Sequence, residues 1–366
     1  MAGPLDPIVS TALQLAGELG HEEVLILQEP VSGLRAVVAI HDTTFGPAAG
    51  GTRMRLYPSM DAAAVDALRL SRAMTYKAVM AEMARGGGKA VILGDPARDK
   101  SRALLAAYAR AVERLGGRFH TGGDMGIDGR DVAVMARITR HVSHAGRMAG
   151  TEDERTGRRP LDSSDLAALG VFEAIGAAAQ ALKLDLAGLR VAVQGLGEVG
   201  HRLCRLLAAA GARLTVADVE VSRTERVVLE LGATAVEPEA IYDVEADVFS
   251  PNAAGSIVNG ETLPRLRCRA VVGAANEQLA DPADGDRLHR AGILYGPDYV
   301  VNAGGLLSML YELGETDEPG VIARVRQIGT RVSDLWERSR REDVPPHRLA
   351  DQTVEDRLKA ARAARS

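Results

Sequence analysis

The chain has 366 residues, which suits two domains better than one hydrophobic core. Apolar residues make up 46% and charged residues 25%, an ordinary globular balance that excludes a disordered chain. The net charge is −5, and the one notable basic stretch, 147–159, is interrupted by Glu152, Asp153 and Glu154, so no nucleic acid partner is expected. Two cysteines, Cys204 and Cys268, form no CxxC pair and have no metal-ligand spacing, so neither a disulfide framework nor a metal site is expected. No run of 18 apolar residues occurs, and no basic region followed by an apolar stretch opens the chain. The expectation is no membrane span and a cytoplasmic location.

In chain order, Val24 to Ile40 reads as two strands around a turn at 29–33. A glycine-rich loop, 41–53, follows. The stretch 61–82 is rich in Ala, Leu and Met and predicts a helix capped by Asp61. Gly86-Gly87-Gly88 then closes that region, and a strand resumes at 90–93. A second helix is expected over 100–115, then an open loop, 121–126, carrying Gly122, Gly123 and Asp124. The polar stretch 146–160 reads as a linker or mobile loop. After a long helix over 161–182, short apolar runs at 190–194, 214–217, 248–250, 270–273 and 293–295 alternate with helices. This βαβ pattern predicts a buried parallel sheet. The charged tail 324–366 reads as helical, with Trp336 as an anchor against the first domain. The fold class is therefore α/β with two domains: 1–148, joined by a C-terminal helix 335–366, and 149–334.

The strongest local signal is VAVQGLGEVG, 191–200. Gly195, Gly197 and Gly200 form GxGxxG directly after a strand, and Glu198 and Val199 open a helix. The first glycine allows the tight turn, the second a close approach of a pyrophosphate, and the third close helix–strand packing. Asp218 ends the next strand, 23 residues beyond Gly195, where a carboxylate accepts the adenine ribose hydroxyls and repels a 2′-phosphate. NAD is therefore favoured over NADP, and Arg223 nearby weakens that preference a little. The alternative is a structural glycine turn. Asn276 lies beyond the end of a later strand and reads either as a crevice residue or as a turn residue.

Lys77 and Lys89 stand among mostly apolar neighbours. Either they pair with a substrate carboxylate and act as a base, or they carry their charge out to solvent. Asp124, flanked by glycines, is either an Asx-type turn or a carboxylate presented for proton transfer. His41, His120, His141 and His144 share no convincing spacing for a metal.

The stretches HDTTFGPAAGGTR (41–53), AMTYK (73–77), GGGKAVILGDP (86–96), TGGDMG (121–126), VAVQGLGEVG (191–200), VVGAAN (271–276) and ILYGPDYVVNAGG (293–305) together resemble the leucine, valine and phenylalanine dehydrogenases, relatives of glutamate dehydrogenase. The resemblance covers nearly the whole chain in order. It implies a substrate-binding and oligomerisation domain, a Rossmann-type dinucleotide-binding domain, and a cleft separating them that holds the chemistry. It implies NAD-dependent oxidative deamination of an L-amino acid to its 2-oxo acid and ammonia, and the reverse, by a homo-oligomer, an octamer or dimer. By match, Lys77 grips the substrate carboxylate, Lys89 is the general base that activates water against the imine, and Asp124 relays protons at the substrate nitrogen. Ala49, Gly50, Gly122 and Asn276 fall among the substrate contacts, and Ala275, Asn276 and Asn302 among the cofactor contacts.

Ala49 and Gly122 stand where the branched-chain enzymes carry leucine and alanine. The lost volume leans toward a bulky or aromatic substrate, with a branched-chain substrate as the alternative. Other positions depart from the family. Ala167 replaces a threonine, Glu277 replaces the second asparagine of a pair, and 252–256 reads Asn-Ala-Ala-Gly-Ser in place of Cys-Ala-Leu-Gly-Gly. These changes leave two further readings open: an NAD-binding homologue diverged toward specialised metabolism or without turnover, and an NAD-linked hydroxy acid or imine reductase.

Overall fold

A computed structural model describes residues 11–143 and 161–365. The chain forms two compact units, the first comprising 1–160, 312–314 and 357–366, the second 161–311 and 315–356. The expected linker at 146–160 and His144 lie outside the described residues.

The first unit begins with α1 (Thr11–Leu19), β1 (Glu23–Glu29), β2 (Leu34–Asp42), β3 (Ala48–Ala49) and β4 (Thr52–Arg55). It continues with α2 (Met60–Met80), β5 (Gly86–Leu93), α3 (Arg102–Arg114), β6 (Phe119–His120) and α4 (Gly129–Ala136). Its sheet runs β1-β2-β5-β3-β6, with β4 also paired to β5. β2 pairs antiparallel to β1 and β5, whereas β3 and β4 run parallel to β5. Both faces of the sheet are covered, because successive side chains of a strand point to opposite sides. Ala36, Val38, Ile40, Ala90 and Ile92 pack with Leu104, Tyr108 and Val112 of α3. Val37, Ala39, Val91 and Leu93 pack with Ala63, Ala67 and Leu68 of α2. Lys89 alternates with the first set and so shares the α2 face with Val91 and Leu93.

Three details differ from the sequence reading here. Ser59, not Asp61, caps α2, accepting from Ala62 N at 3.0 Å, while Asp61 accepts from Ala12 N at 3.1 Å. Gly86-Gly87-Gly88 does not end a region but forms the first half of β5. It reads as a loop in the sequence, yet α2 needs it bare: a Cβ at Gly87 would lie 2.1 Å from Thr75 N. Ala49 likewise belongs to strand β3, not to a loop.

The second unit contains α5 (Ser163–Ala181), β7 (Arg190–Gln194), α6 (Glu198–Ala209), β8 (Arg213–Ala217), α7 (Val221–Leu231), β9 (Thr234–Ala235) and β10 (Val248–Pro251). After these come β11 (Ala270–Val271), α8 (Pro282–Arg290), β12 (Leu294–Tyr295), α9 (Asp298–Val301), α10 (Gly304–Glu312), α11 (Glu318–Glu342) and α12 (Pro346–Ala363). The ends of α10 and α12 belong to the first unit. All six strands run parallel in the order β12-β11-β10-β7-β8-β9, the doubly wound Rossmann-type arrangement. The expected strand at 270–273 is shorter, ending at Val271.

The tail is two helices rather than one. Trp336 is fully buried in the second unit, where its indole Nε1 donates to Tyr295 O at 2.8 Å. It does not anchor the first domain. Of the expected C-terminal helix, only 357–366 counts with the first unit, where Arg357 donates to Val79 O and Arg362 pairs with Asp42. Charge frequency along the tail hides this division, because both helices are amphipathic with similar exposed faces. Among the described residues, no helix is long and apolar enough to cross a membrane.

Candidate active site

Lys89 sits in the middle of β5, opposite Ala39 of β2, and is buried. Asp124 lies in the loop after β6, held by a bridge to Ile127. That loop is drawn to β4, where Thr52 N donates to Gly122 O at 2.8 Å and Met54 N to Met125 O at 2.8 Å. The result is an ion pair, with Lys89 Nζ 2.8 Å from Asp124 Oδ2. Arg53 Nε donates to the same oxygen at 3.0 Å. Burial alone would raise the Asp124 carboxyl, but the Lys89 charge and hydrogen bond, helped by Arg53, outweigh it and hold the group below its ordinary value. The sign follows directly: this pairing stabilises the fold above the ordinary carboxylate range and is lost as pH falls through the lowered value.

Lys77 occupies the last turn of α2, half-buried, on the helix that covers the Lys89 face of the sheet. Gly50 N donates to His120 O at 3.1 Å, which pins the end of β3 beside β6. Beside Arg53 on β4, Thr52 Oγ1 lies 2.6 Å from both the Tyr108 hydroxyl and Thr121 Oγ1. Sequence reasoning did not single out this hydroxyl cluster. Nor did it give Arg53 a role: 41–53 reads as a loop in the sequence, and the pairing of β4 with β5 appears only in the fold.

The histidines have structural partners. His41 Nδ1 lies 2.8 Å from Thr75 Oγ1 and its Nε2 3.1 Å from Leu19 O. His120 stacks on His141 with ring centroids 5.2 Å apart, and burial, aided by Arg85, pushes His120 down to about 4. Among the described residues, no group of three His, Cys, Asp or Glu side chains could hold a metal ion. Burial pushes both Cys204 and Cys268 up to about 12, which leaves them as inert thiols.

In the second unit the three glycines of the motif have different steric surroundings. Gly195 has φ +86°, and a Cβ there would meet Ala253 at 2.6 Å. A Cβ at Gly200 would lie 2.0 Å from Gly195 O, so helix and strand touch through backbone. At Gly197 a Cβ would meet nothing within 4 Å among the described residues. Open space at the middle glycine, beside the start of α6, is what an approaching phosphate needs. Val199 is half-buried in that first turn, while Glu198 points outward to Arg202. Asp218 stands just beyond β8 and accepts from Leu196 N at 2.6 Å and Glu220 N at 2.8 Å. Arg223 Nη1 is 3.7 Å from it.

Beyond β10 and β11, Asn252 Oδ1 accepts from Ala274 N at 2.9 Å. Ala275 is buried, its N–H donating to Pro251 O at 3.0 Å. Asn302 Nδ2 donates to Asn276 Oδ1 at 2.9 Å and to Ala274 O at 3.0 Å, which fixes the Asn276 side chain. Asn302 Oδ1 is buried with no hydrogen-bond partner among the described residues. Ala167 lies on α5, its methyl facing the Gly305 backbone.

Two of the sequence departures meet in space. Ser256 N donates to Glu277 O at 2.7 Å, and both residues adopt left-handed backbone, with φ of 57° and 51°. A long side chain at Glu277 is strained there, whereas asparagine tolerates the conformation. Glu277→Asn is expected to stabilise the protein by about 1 kcal/mol, read as a higher urea midpoint at unchanged slope. A lower midpoint would show that the Glu277 carboxylate makes a compensating contact.

Two family models match the chain: "Glu/Leu/Phe/Val dehydrogenase, dimerisation domain" over 21–141 and "Glutamate/Leucine/Phenylalanine/Valine dehydrogenase" over 215–318. The leucine dehydrogenase of Geobacillus stearothermophilus is 41% identical, covering 94% of this chain and 93% of that protein. The L-tryptophan dehydrogenase of Nostoc punctiforme is 42% identical, covering 95% and 96%. A crystal structure of that L-tryptophan dehydrogenase superposes with a TM-score of 0.81 at 39% identity, covering 96% of this chain and 99% of the other.

Proposed function

Since the chain belongs to the glutamate/leucine/phenylalanine/valine dehydrogenase family, we propose that it is an NAD-dependent dehydrogenase of a hydrophobic L-amino acid, leaning to bulky or aromatic side chains. The Lys89–Asp124 pair, with Lys89 on a buried strand and its Nζ 2.8 Å from the loop carboxylate, is the observation that carries this reading. The open face of Gly197, the Asp218 carboxylate beyond β8 and the orphaned Asn302 Oδ1 fit a dinucleotide with a carboxamide end. When bound, NAD would accept hydride from the substrate α-carbon. The chain's own residues do the acid–base work. Lys77 pairs with the substrate α-carboxylate. Asp124 takes and returns a proton at the substrate nitrogen. Lys89 removes a proton from the water that adds to the imine carbon, and the carbon–nitrogen bond then breaks to give the 2-oxo acid and ammonia. Ala49, Gly50, Gly122 and Asn276 border the substrate, and Gly195, Gly197, Glu198, Val199, Gly200, Asp218, Ala275, Asn276 and Asn302 border the cofactor. We assign the first unit to substrate binding and homo-oligomer formation, and the second to the cofactor.

The branched-chain alternative is favoured by one observation, the 41% identity to a leucine dehydrogenase, level with that to the tryptophan enzyme. Following NADH absorbance at alkaline pH over phenylalanine, tryptophan, tyrosine, valine, leucine, isoleucine and norleucine tests both. Fastest turnover on an aromatic substrate is expected. Preference for valine or leucine would select the alternative, and no turnover on any of them would overturn the enzyme reading for hydrophobic amino acids.

A further inference from the structure

The acid–base pair has a third member. Lys89 Nζ and Arg53 Nε end on the same oxygen of Asp124, at 2.8 and 3.0 Å. Arg53 Nη1 also reaches Asp66 Oδ2 at 3.1 Å, and Asp66 accepts from the Tyr57 hydroxyl. The Arg53 and Lys89 side chains retain 17% and 8% of their exposure, so little water screens one from the other. An ammonium can lose its proton in the working range of a base, whereas a guanidinium cannot.

We infer that Arg53 is a positioning residue, a permanent cation that keeps Asp124 paired and anionic while Lys89 gives up and regains its proton. The inference rests on the reading of Lys89 as the base. With a single partner, deprotonation of Lys89 would strand a largely buried carboxylate, and the pair would resist it. With Arg53 on the same oxygen, Asp124 keeps a partner in both states of Lys89. Removing the like charge of Arg53 should therefore favour the ammonium form of Lys89, and removing the Asp66 carboxylate on the far side of the guanidinium should favour the neutral form. Charged groups on the other elements packed against β5 are committed elsewhere or common to every variant below. Asp42 of β2 pairs with Arg362, His41 bonds Thr75, Arg55 of β4 lies over the Tyr57 ring, and Lys77 stays on α2.

The test measures the protonation of Lys89 directly, as the pH dependence of its acetylation by acetic anhydride in the full-length protein, read by mass spectrometry. Arg53→Met should raise the midpoint by roughly one pH unit, and Asp66→Asn should lower it by roughly half a unit. The alkaline limb of kcat/KM should move with these midpoints. An unchanged midpoint in Arg53→Met, or shifts of the same sign in Arg53→Met and Asp66→Asn, would overturn the inference. If Arg53→Met does not fold, Asp66→Asn decides: a lower midpoint supports the inference, and an unchanged one overturns it. Opposite midpoint shifts in the two variants, beside a wild-type protein that turns over no amino acid, would refute the enzyme reading while leaving the charge arrangement standing.

Discussion

Replacing Lys89 by alanine is expected to lower kcat/KM for the preferred amino acid by about 10³-fold or more, the scale of a lost general base. Cofactor affinity should not change, because every residue assigned to NAD lies in the second unit. The fold should survive. Removing one partner of a buried ion pair ordinarily costs about 3–5 kcal/mol because a charge is left unpaired. Here Asp124 retains Arg53 at 3.0 Å, so the cost should be nearer 1 kcal/mol, visible as a small drop in Tm. The combination separates chemistry from folding: activity lost, NAD binding kept, melting little changed. Retention of more than a tenth of the activity would remove Lys89 from the role of base. Collapse of the fold would show instead that Lys89 is mainly structural.

The parts of the fold written in local pattern were legible without coordinates. GxGxxG after an apolar run and before a helix is a local rule, and the tight turn at Gly195 and the close helix–strand packing at Gly200 are where their spacing suggests. Five of the six parallel strands likewise follow from short apolar runs; the edge strand β9, two exposed residues long, carries no such run. What could not be read was set by long-range contact. Gly86-Gly87-Gly88 has the composition of a loop but is a strand, because α2 presses its backbone against it. Trp336 found its partner in Tyr295, 41 residues away, and no periodicity in the tail announces that choice. The same limit applies to the site. Lys89 and Asp124 stood out as isolated charges among apolar and glycine residues. Arg53 and Asp66 drew no reading from the sequence, and only β4 and α2 bring Asp66 to Arg53 and Arg53 to the Asp124 carboxylate. Departures scattered along the sequence, at 252–256 and 277, proved to be one hydrogen-bonded unit.

Two glycines assigned to the substrate region should respond to the same added methyl in opposite ways. A Cβ at Gly50 would lie 1.8 Å from Gly88 O, the residue before Lys89, so alanine there must push β3 and β5 apart by more than an ångström. Gly50→Ala should destabilise the protein by about 1–3 kcal/mol. It should also lower kcat/KM for every substrate by about 10²-fold, because a base displaced by that distance loses its alignment. Among the described residues, a Cβ at Gly122 would meet only Ser143, at 3.6 Å from its carbonyl oxygen, an ordinary contact. Gly122→Ala should change stability by less than about 0.5 kcal/mol. If Gly122 borders the substrate side chain, its methyl should penalise large substrates selectively, raising KM for phenylalanine about tenfold relative to valine. Steady-state kinetics on both variants with both substrates resolve the two effects. A uniform loss at Gly122 would place that residue outside the side-chain pocket and remove one support for an aromatic substrate. Wild-type kinetics at Gly50→Ala would mean that β5 can shift without carrying Lys89 away from Asp124.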